Sequence, residues 1–258
     1  MNEVLWIGGP PGAGKTTVAT RLMRRHGLRL YSADTATWAH RDRALASGNE
    51  AARRWESLTP HARTTQPPDD LLAMSLHRER GAMVADDVRA LPSAPMVVAE
   101  GSVITPASVP DRARAVWILP SSALLERQLA ARGGGSNPLY RLLSQEIEDD
   151  ARSANAPTVA IDGIAETVAA VEMLFADALA RGQHAETRAE RKSLLREANL
   201  ARVGQVQAFC ARPWASGEAD DVERSFICEC GERECEADVR LTVADVRAEP
   251  AIAAGHGG

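Results

Sequence analysis

Ten residues near the N-terminus carry the clearest chemistry in the chain. Residues 8–17 read Gly-Gly-Pro-Pro-Gly-Ala-Gly-Lys-Thr-Thr, directly after the apolar run Val4-Leu5-Trp6-Ile7. Gly9, Gly14, Lys15 and Thr16 satisfy G-x-x-x-x-G-K-[ST], with Pro10, Pro11, Gly12 and Ala13 between the glycines and Thr17 just beyond. Glycines let successive backbone N–H groups turn inward around a phosphate chain, and the N-terminus of a following helix adds partial positive charge. Lys15 is expected to reach the β- and γ-phosphates and the Thr16 hydroxyl to ligate Mg²⁺. The pattern therefore predicts binding of ATP or GTP. A glycine-rich strand–helix turn that binds nothing is the blander alternative, and the apolar run before and the helix-prone stretch after argue against it.

Two carboxylates are candidates to work on that nucleotide. Asp34 lies in Tyr31-Ser32-Ala33-Asp34-Thr35, after a second apolar segment. In an open parallel sheet, ligands sit beyond the carboxyl ends of the strands, so Asp34 is expected to face the γ-phosphate. There it could accept the proton of an attacking hydroxyl, or it could serve as a helix N-cap. Glu100 ends Met96-Val97-Val98-Ala99-Glu100-Gly101, a position suited to the Mg²⁺ shell, to substrate contact, or to a solvated strand end. Arg132 borders the stretch Gly133–Ser136 and is the preferred candidate to close over the phosphates, with Arg127 and Arg141 behind it. Each of these arginines could equally sit on a solvated helix face. Arg41, Asp42, Arg43, Arg53 and Arg54 fall where an acceptor would bind, and a solvated face is the preferred reading for most of them. Asp86-Asp87 reads as a polar helix end, and five scattered histidines (His26, His40, His61, His77 and His184) receive no role.

A second cluster lies far along the chain. Cys228-Glu-Cys230-Gly-Glu-Arg-Glu-Cys235 brings three sulfurs within eight residues. Zinc takes four tetrahedral ligands from Cys and His. Cys228, Cys230 and Cys235 supply three, with His256 preferred over Cys210 as the fourth because it would tether a Gly-rich tail. The spacing is not that of paired Cys-x2-Cys knuckles. A redox-sensing thiol group is one alternative, and Glu229, Glu232, Glu234 and Glu236 speak against the lowered pKa it needs; three inert cysteines are the other.

These residues need a scaffold to position them. The 258 residues suffice for one sizeable α/β domain and something smaller. Short apolar runs at Val4–Ile7, Leu28–Tyr31, Met96–Ala99, Ala115–Leu119 and Thr158–Ile161 read as strands buried on both faces. Helical stretches are expected at Thr17–Arg25, Thr35–Ala46, Asp69–Arg89, Ser121–Ala131, Leu139–Ala154 and Ile164–Ala180. The alternation predicts a parallel five-stranded sheet with crossovers over residues 1–182. Residues 183–207 read as a linking helix with an apolar stripe of Leu194, Leu195, Ala198, Val203 and Val206. Residues 208–258 form a small Cys-rich unit that needs a staple or a surface to dock on. Thr242-Val-Ala-Asp245 reads as a capped short helix.

Composition sets bounds. A formal net charge of −5 makes a nucleic-acid partner unexpected. The first strand leaves no room for a signal peptide, and no run of about 18 apolar residues exists, so neither secretion nor a membrane span is expected. A cytoplasmic location follows as the expectation, in which the four cysteines are thiols or metal ligands rather than disulfides.

The loop Gly9–Thr16, Asp34, Val97-Val98-Ala99-Glu100-Gly101 and the Arg127–Arg132 stretch together resemble the P-loop small-molecule kinases, the nucleoside monophosphate, shikimate, gluconate and antibiotic phosphotransferase-like group. The resemblance covers roughly residues 3–180. It implies a three-layer α/β/α fold, Mg·ATP, and transfer of the γ-phosphoryl group to a small-molecule acceptor. It also implies that Lys15 and Thr16 hold phosphate and Mg²⁺, Asp34 is the base and Arg132 the lid arginine. The acceptor-recognition residues match no one subfamily. The cysteine segment resembles a C-terminal Cys-x-Cys-Gly-x3-Cys module of actinobacterial proteins, which implies no activity. Two functions are therefore carried forward: an ATP-dependent phosphotransferase, and a nucleotide-dependent switch or ATPase whose Cys-rich module binds a partner protein.

Overall fold

The computed structural model describes residues 3–131, 138–160, 163–253 and 255. Five strands form one parallel sheet: β1 (Val4–Gly8), β2 (Arg29–Ser32), β3 (Val97–Glu100), β4 (Ala115–Ile118) and β5 (Thr158–Val159). Their order is β2-β3-β1-β4-β5. Register pairs Ile7 of β1 with Glu100 of β3 and with Val116 of β4. Glu100 also pairs with Ser32 of β2. The crossover after β1 runs to β2 and the one after β3 runs past β1 to β4, so the connections diverge between β1 and β3, and the crevice this opens lies at the strands' carboxyl ends.

Both faces of the sheet are covered, which explains the near-continuous apolar character of the strands. Leu5, Ile7, Val98, Val116 and Ile118 point to one core, shared with α1 (Lys15–His26) and α9 (Ile164–Leu174). Val4, Trp6, Val97, Ala99 and Trp117 point to the other, shared with α6 (His77–Ala90) and α8 (Pro138–Ser153). The expected α/β/α layering is therefore present.

The sequence between β2 and β3 holds more helices than its periodicity predicts. After α2 (Thr37–Ala46) come α3 (Glu50–Ser57) and α4 (Pro60–Thr64), each announced by a local cap: Asn49 accepts from the Ala52 amide and Thr59 from the Ala62 amide. The single helix expected over Asp69–Arg89 is two, α5 (Pro68–Met74) and α6, broken at Ser75-Leu76. Leu76 has φ 59° and is fully buried against Ala44 and Ala52, so tertiary packing holds a backbone that costs about 1–2 kcal/mol. The helix expected over Ile164–Ala180 is likewise two, α9 and α10 (Ala176–Arg181), meeting at Phe175. Helix α7 (Ser122–Ala131) matches its expected span closely.

Beyond α10, α11 (Arg188–Cys210) opens on a capping box between Thr187 and Glu190. All five residues of the predicted apolar stripe are buried. They serve two partners: Leu195 and Ala198 join the core under the sheet, while Val203 and Val206 join Phe226, Val243, Val246 and Ile252. The latter group lies among an antiparallel hairpin, β6 (Glu223–Ile227) and β7 (Asp238–Thr242), and α12 (Val243–Ala248), which Thr242 and Asp245 cap as expected. Ile227, fully buried, packs with the α1 side of the main core and so ties the hairpin to the sheet. Among the described residues no helix is long and apolar enough to cross a membrane.

Candidate functional site

The loop between β1 and α1 takes the backbone that its glycines permit. Gly9, Gly12 and Gly14 all have positive φ, and a Cβ on Gly9 would lie 2.4 Å from the Ile118 carbonyl oxygen. The Ala13 amide bonds to the Pro10 carbonyl at 3.1 Å, closing the turn. Helix α1 begins at Lys15, so its first amides face the loop's hollow. Lys15 is buried and folds back to donate to the Pro10 carbonyl at 2.8 Å and to Ser102 Oγ at 3.1 Å.

Glu100 is not a solvated strand end: it is fully buried. Its Oε1 accepts from Ser32 Oγ at 2.5 Å and from Thr16 Oγ1 at 3.2 Å. Its Oε2 is buried with no hydrogen-bond partner. Burial and the nearby Asp34 carboxylate push its pKa up, against Lys15 and the two hydroxyls. An unpartnered buried carboxylate oxygen beside the Thr16 hydroxyl is a hard-oxygen donor set suited to a magnesium ion or its water shell.

A cleft of about 340 Å³ opens over this set. Pro11, Gly12, Gly14, Lys15, Thr16 and Thr17 line one side. Asp34, Ser75, His77, Arg80 and Tyr140 line the other. Asp34 does not act as a side-chain N-cap: α2 starts after Ala36 with no side-chain cap, and the bonds to Asp34 are at its carbonyl, from Thr37 and from Gln205 Nε2 of α11. The Asp34 carboxylate is exposed on the cleft.

The far wall was not legible beforehand. Arg80 is buried and donates to the Ala33 carbonyl at 2.6 Å, to Thr37 Oγ1 at 2.9 Å and to His40 Nδ1 at 3.3 Å. Burial lowers its pKa while Asp34 and Tyr31 oppose that. His77 is 4% exposed, and its Nε2 has no partner. Burial lowers the imidazole pKa, against Glu146 and Asp150, which favours a neutral ring. Asp87 is no idle helix end: Tyr31 donates to it at 2.7 Å, His40 Nε2 lies 2.7 Å away and Arg43 pairs with it. A break in helical periodicity at Ser75 was the one signal that could have pointed here.

Other candidates fall away from the cleft or outside the described residues. Arg132 and His256 lie outside them. Arg127 and Arg141 are exposed, and neither is among the residues lining the cleft. Arg41 is buried against Trp55 and donates to the Met74 carbonyl, and Arg54 pairs with Asp70 on the surface. Asp42 pairs with Arg212, from the segment after α11. Arg212 stacks on Trp38, which packs with Phe209 and Trp214, so the chain after α11 clasps α2 and α3.

The AAA_33 family profile, described as an AAA domain, matches residues 4–157. The chain belongs to the AAA domain family. That range holds the phosphate loop, Asp34, Glu100 and the far wall, and it supports a nucleotide-dependent activity of kinase or ATPase type. A solved structure, TT1252 from Thermus thermophilus, is 19% identical with a TM-score of 0.44, covering 68% of this chain and 97% of that one. No curated protein matches the sequence.

The cysteine loop lies outside the matched range, between β6 and β7. The Sγ atoms of Cys228, Cys230 and Cys235 all lie within 4.8 Å of one another. Three sulfurs around a tetrahedral zinc at about 2.3 Å each would stand about 3.8 Å apart, so a small contraction forms the site. Gly231 has φ 77°, and a Cβ there would lie 2.8 Å from the Arg188 carbonyl oxygen. Burial raises Cys230 to about 11, with both neighbouring thiols adding to it. Burial also works against a Cys235 thiolate, but the Ala237 amide, Cys230 and Arg24 bring it down to about 7. One thiol primed to ionise among buried neighbours is a cluster that can hold a metal. Cys210 is elsewhere, packed beside Val203 and Phe226.

Proposed function

We propose that the chain is an ATP-dependent phosphotransferase that moves the γ-phosphoryl group to a hydroxyl of a small-molecule acceptor. The observation that carries this reading is the Asp34 carboxylate, which faces Lys15 and Thr16 across one cleft. An ATPase would set the same carboxylate on a water, so the wall beyond Asp34 bears on the choice. A cleft of about 340 Å³ with a second wall of Ser75, His77, Arg80 and Tyr140 has room and polar groups for an organic acceptor.

In this reading Gly9–Thr17 cradles the triphosphate and Lys15 swings from the Pro10 carbonyl to the phosphates. Thr16 and Glu100 would hold magnesium, which when bound neutralises phosphate charge. Asp34 accepts the acceptor's proton as its oxygen bonds to phosphorus and the bond to the ADP oxygen breaks. Arg132 is the lid arginine of the proposal. Zinc is proposed at Cys228, Cys230 and Cys235 with His256 as fourth ligand. Residues 1–182, 183–207 and 208–258 are proposed as kinase-like domain, linking helix and Cys-rich module.

The test is a mass-spectrometric screen of the protein with Mg·ATP and pooled acceptors (sugars, nucleosides, nucleotides, aminoglycosides), with Lys15→Ala as blank. A product heavier by one phosphoryl group, absent in the blank, supports the proposal and names the substrate class. ATP hydrolysis without any such product would favour the second reading, a nucleotide-dependent switch. One observation recommends that reading: the cysteine loop is bonded directly to α1, the helix that carries Lys15 and Thr16.

A further inference from the structure

Arginines from two helices grip the cysteine loop. Arg188 Nε donates to the Cys230 carbonyl at 2.8 Å and Arg191 Nε to the Gly231 carbonyl at 2.9 Å, both from α11. From α1, Arg24 Nη2 donates to the carbonyls of Ala237 at 3.0 Å and Cys228 at 3.4 Å. Arg21 and Arg25 of the same helix pair with Glu236 and Glu234.

Arg24 differs from the others. It is 4% exposed, and its Nε and Nη1 have no hydrogen-bond partner. A buried guanidinium with idle donors is costly unless an anion meets it. Without metal, Cys235 alone of the three inclines to the thiolate, and Arg24 is one of the groups that draws it there. Three thiolates around a divalent ion carry a net −1, which a neutral histidine as fourth ligand leaves unchanged. The metal-loaded cluster would thus set a fixed, full negative charge beside the two idle Arg24 donors, where the metal-free loop offers only the Cys235 thiol.

A second observation joins this seam to the nucleotide. A cleft of about 150 Å³ between α1 and the loop is lined by Arg24, Arg202 and Cys235, by the carboxylates Glu236 and Asp238, and by Thr16 and Thr17. Thr16 and Thr17 also line the phosphate cleft. The first turn of α1 therefore has one wall on each site. Without metal, Arg24 holds the loop through the Cys228 and Ala237 carbonyls while two of its donors stay idle. With metal, those donors would gain a charged partner, which would hold α1 more firmly where its N-terminus forms the cradle.

We propose that metal at Cys228, Cys230 and Cys235 and nucleotide at the Gly9–Thr17 loop bind with positive coupling, transmitted by Arg24 through α1. The proposal rests on the metal reading of the cysteines given above and adds a regulatory role to it. Coupling between two sites is reciprocal: each ligand must tighten the other by the same factor. Arg24 is a positioning residue here, acting through the thiolates.

The experiment uses the full chain, stripped of metal by a chelator. Zn²⁺ affinity is measured by competition with a chromophoric chelator, with and without Mg·ADP, and Mg·ADP affinity is measured with and without Zn²⁺. The expected result is one shared factor between about 5- and 150-fold. The wild-type pair of titrations needs no variant. Arg24→Gln should bring the factor to about one, and Arg24→Lys should retain part of it. Co²⁺ in place of Zn²⁺ gives a separate readout, because loss of the Arg24 N–H groups should shift the thiolate-to-cobalt absorption while bulk stability alone would not. Tight Zn²⁺ binding with a factor of one in the wild type would overturn the coupling and leave the metal site standing. Absence of any Zn²⁺ binding, in wild type as in Cys228→Ser, would overturn both.

Discussion

The two walls of the cleft are built in opposite ways. The phosphate wall is one contiguous loop whose working groups are backbone amides, one lysine and one threonine, and whose shape comes from positive-φ glycines. The opposite wall draws Asp34, Ser75, His77, Arg80 and Tyr140 from distant segments, and its shape comes from packing. Its strained residue is a leucine held by tertiary contacts, and its buried cation is held by a carbonyl, a hydroxyl and an imidazole nitrogen. A triphosphate is the same for every member of a nucleotide-using family, so a fixed local cradle serves it. An acceptor varies, and side chains on separate helices can be exchanged one at a time without disturbing the cradle.

If the phosphate wall works as described, Lys15→Ala gives the largest loss. Removal of a charge stabiliser costs about 10²–10³-fold in kcat, and a lost charge-assisted hydrogen bond adds weaker binding, so kcat/KM for the nucleotide should fall about 10³–10⁵-fold. ADP release in a coupled assay reads this. Near-normal turnover would mean that another cation does the work.

Asp34→Asn separates the walls. Proton acceptance is lost while the cradle is intact, so kcat should fall about 10²–10⁴-fold with nucleotide affinity nearly unchanged. Fluorescent-nucleotide titration beside single-turnover kinetics checks both halves. An equal loss of nucleotide affinity would place Asp34 on the phosphate side and blur the division drawn here.

The same division explains what the sequence disclosed. Gly9, Gly14, Lys15 and Thr16 announce themselves because their chemistry depends on neighbours within ten residues, and strands buried on both faces read as unbroken apolar runs. The capping boxes at Thr187 and Thr242 are local for the same reason. Cys228, Cys230 and Cys235 were legible as a cluster because seven positions of chain bring them together, whereas Arg24 beside them was not. His77, Arg80 and Asp87 lie on one helical pattern that looked like an ordinary surface. Only the sheet order, which sets β2 beside β3, and the break at Leu76 turn His77 and Arg80 toward the cleft. Helices α3 and α4 were missed because each is too short for periodicity to register, and their caps at Asn49 and Thr59 were the signal left.

On the acceptor wall, His77→Leu should show function and stability moving in opposite directions. It removes an imidazole nitrogen that is buried without a partner, so stability should rise by about 1 kcal/mol in urea denaturation. The acceptor should lose a hydrogen bond, with its KM rising about 3- to 10-fold and the nucleotide KM unmoved. A fall in stability would show that the ring's packing outweighs its idle nitrogen. An unchanged acceptor KM would remove His77 from the acceptor site.

The smallest effect belongs to the support behind that wall. Asp87 ties β2 to α2 and α6 through Tyr31, His40 and Arg43. Burial would raise its pKa, but the bonds from His40 and Tyr31 and the attraction of His40 and Arg43 prevail and hold the carboxyl below its ordinary range. A depressed carboxylate stabilises the fold in full above its unfolded pKa, and that contribution is lost as the pH falls through the folded value. Asp87→Asn should therefore cost about 1–2 kcal/mol near neutral pH. The gap to wild type should narrow as the pH falls below the ordinary carboxylate range, where the wild-type carboxyl itself becomes protonated. Urea titrations at neutral pH and in that acid range measure the gap. A constant gap would mean that Asp87 acts by shape alone, and that the acceptor wall is held by packing without the charge network behind it.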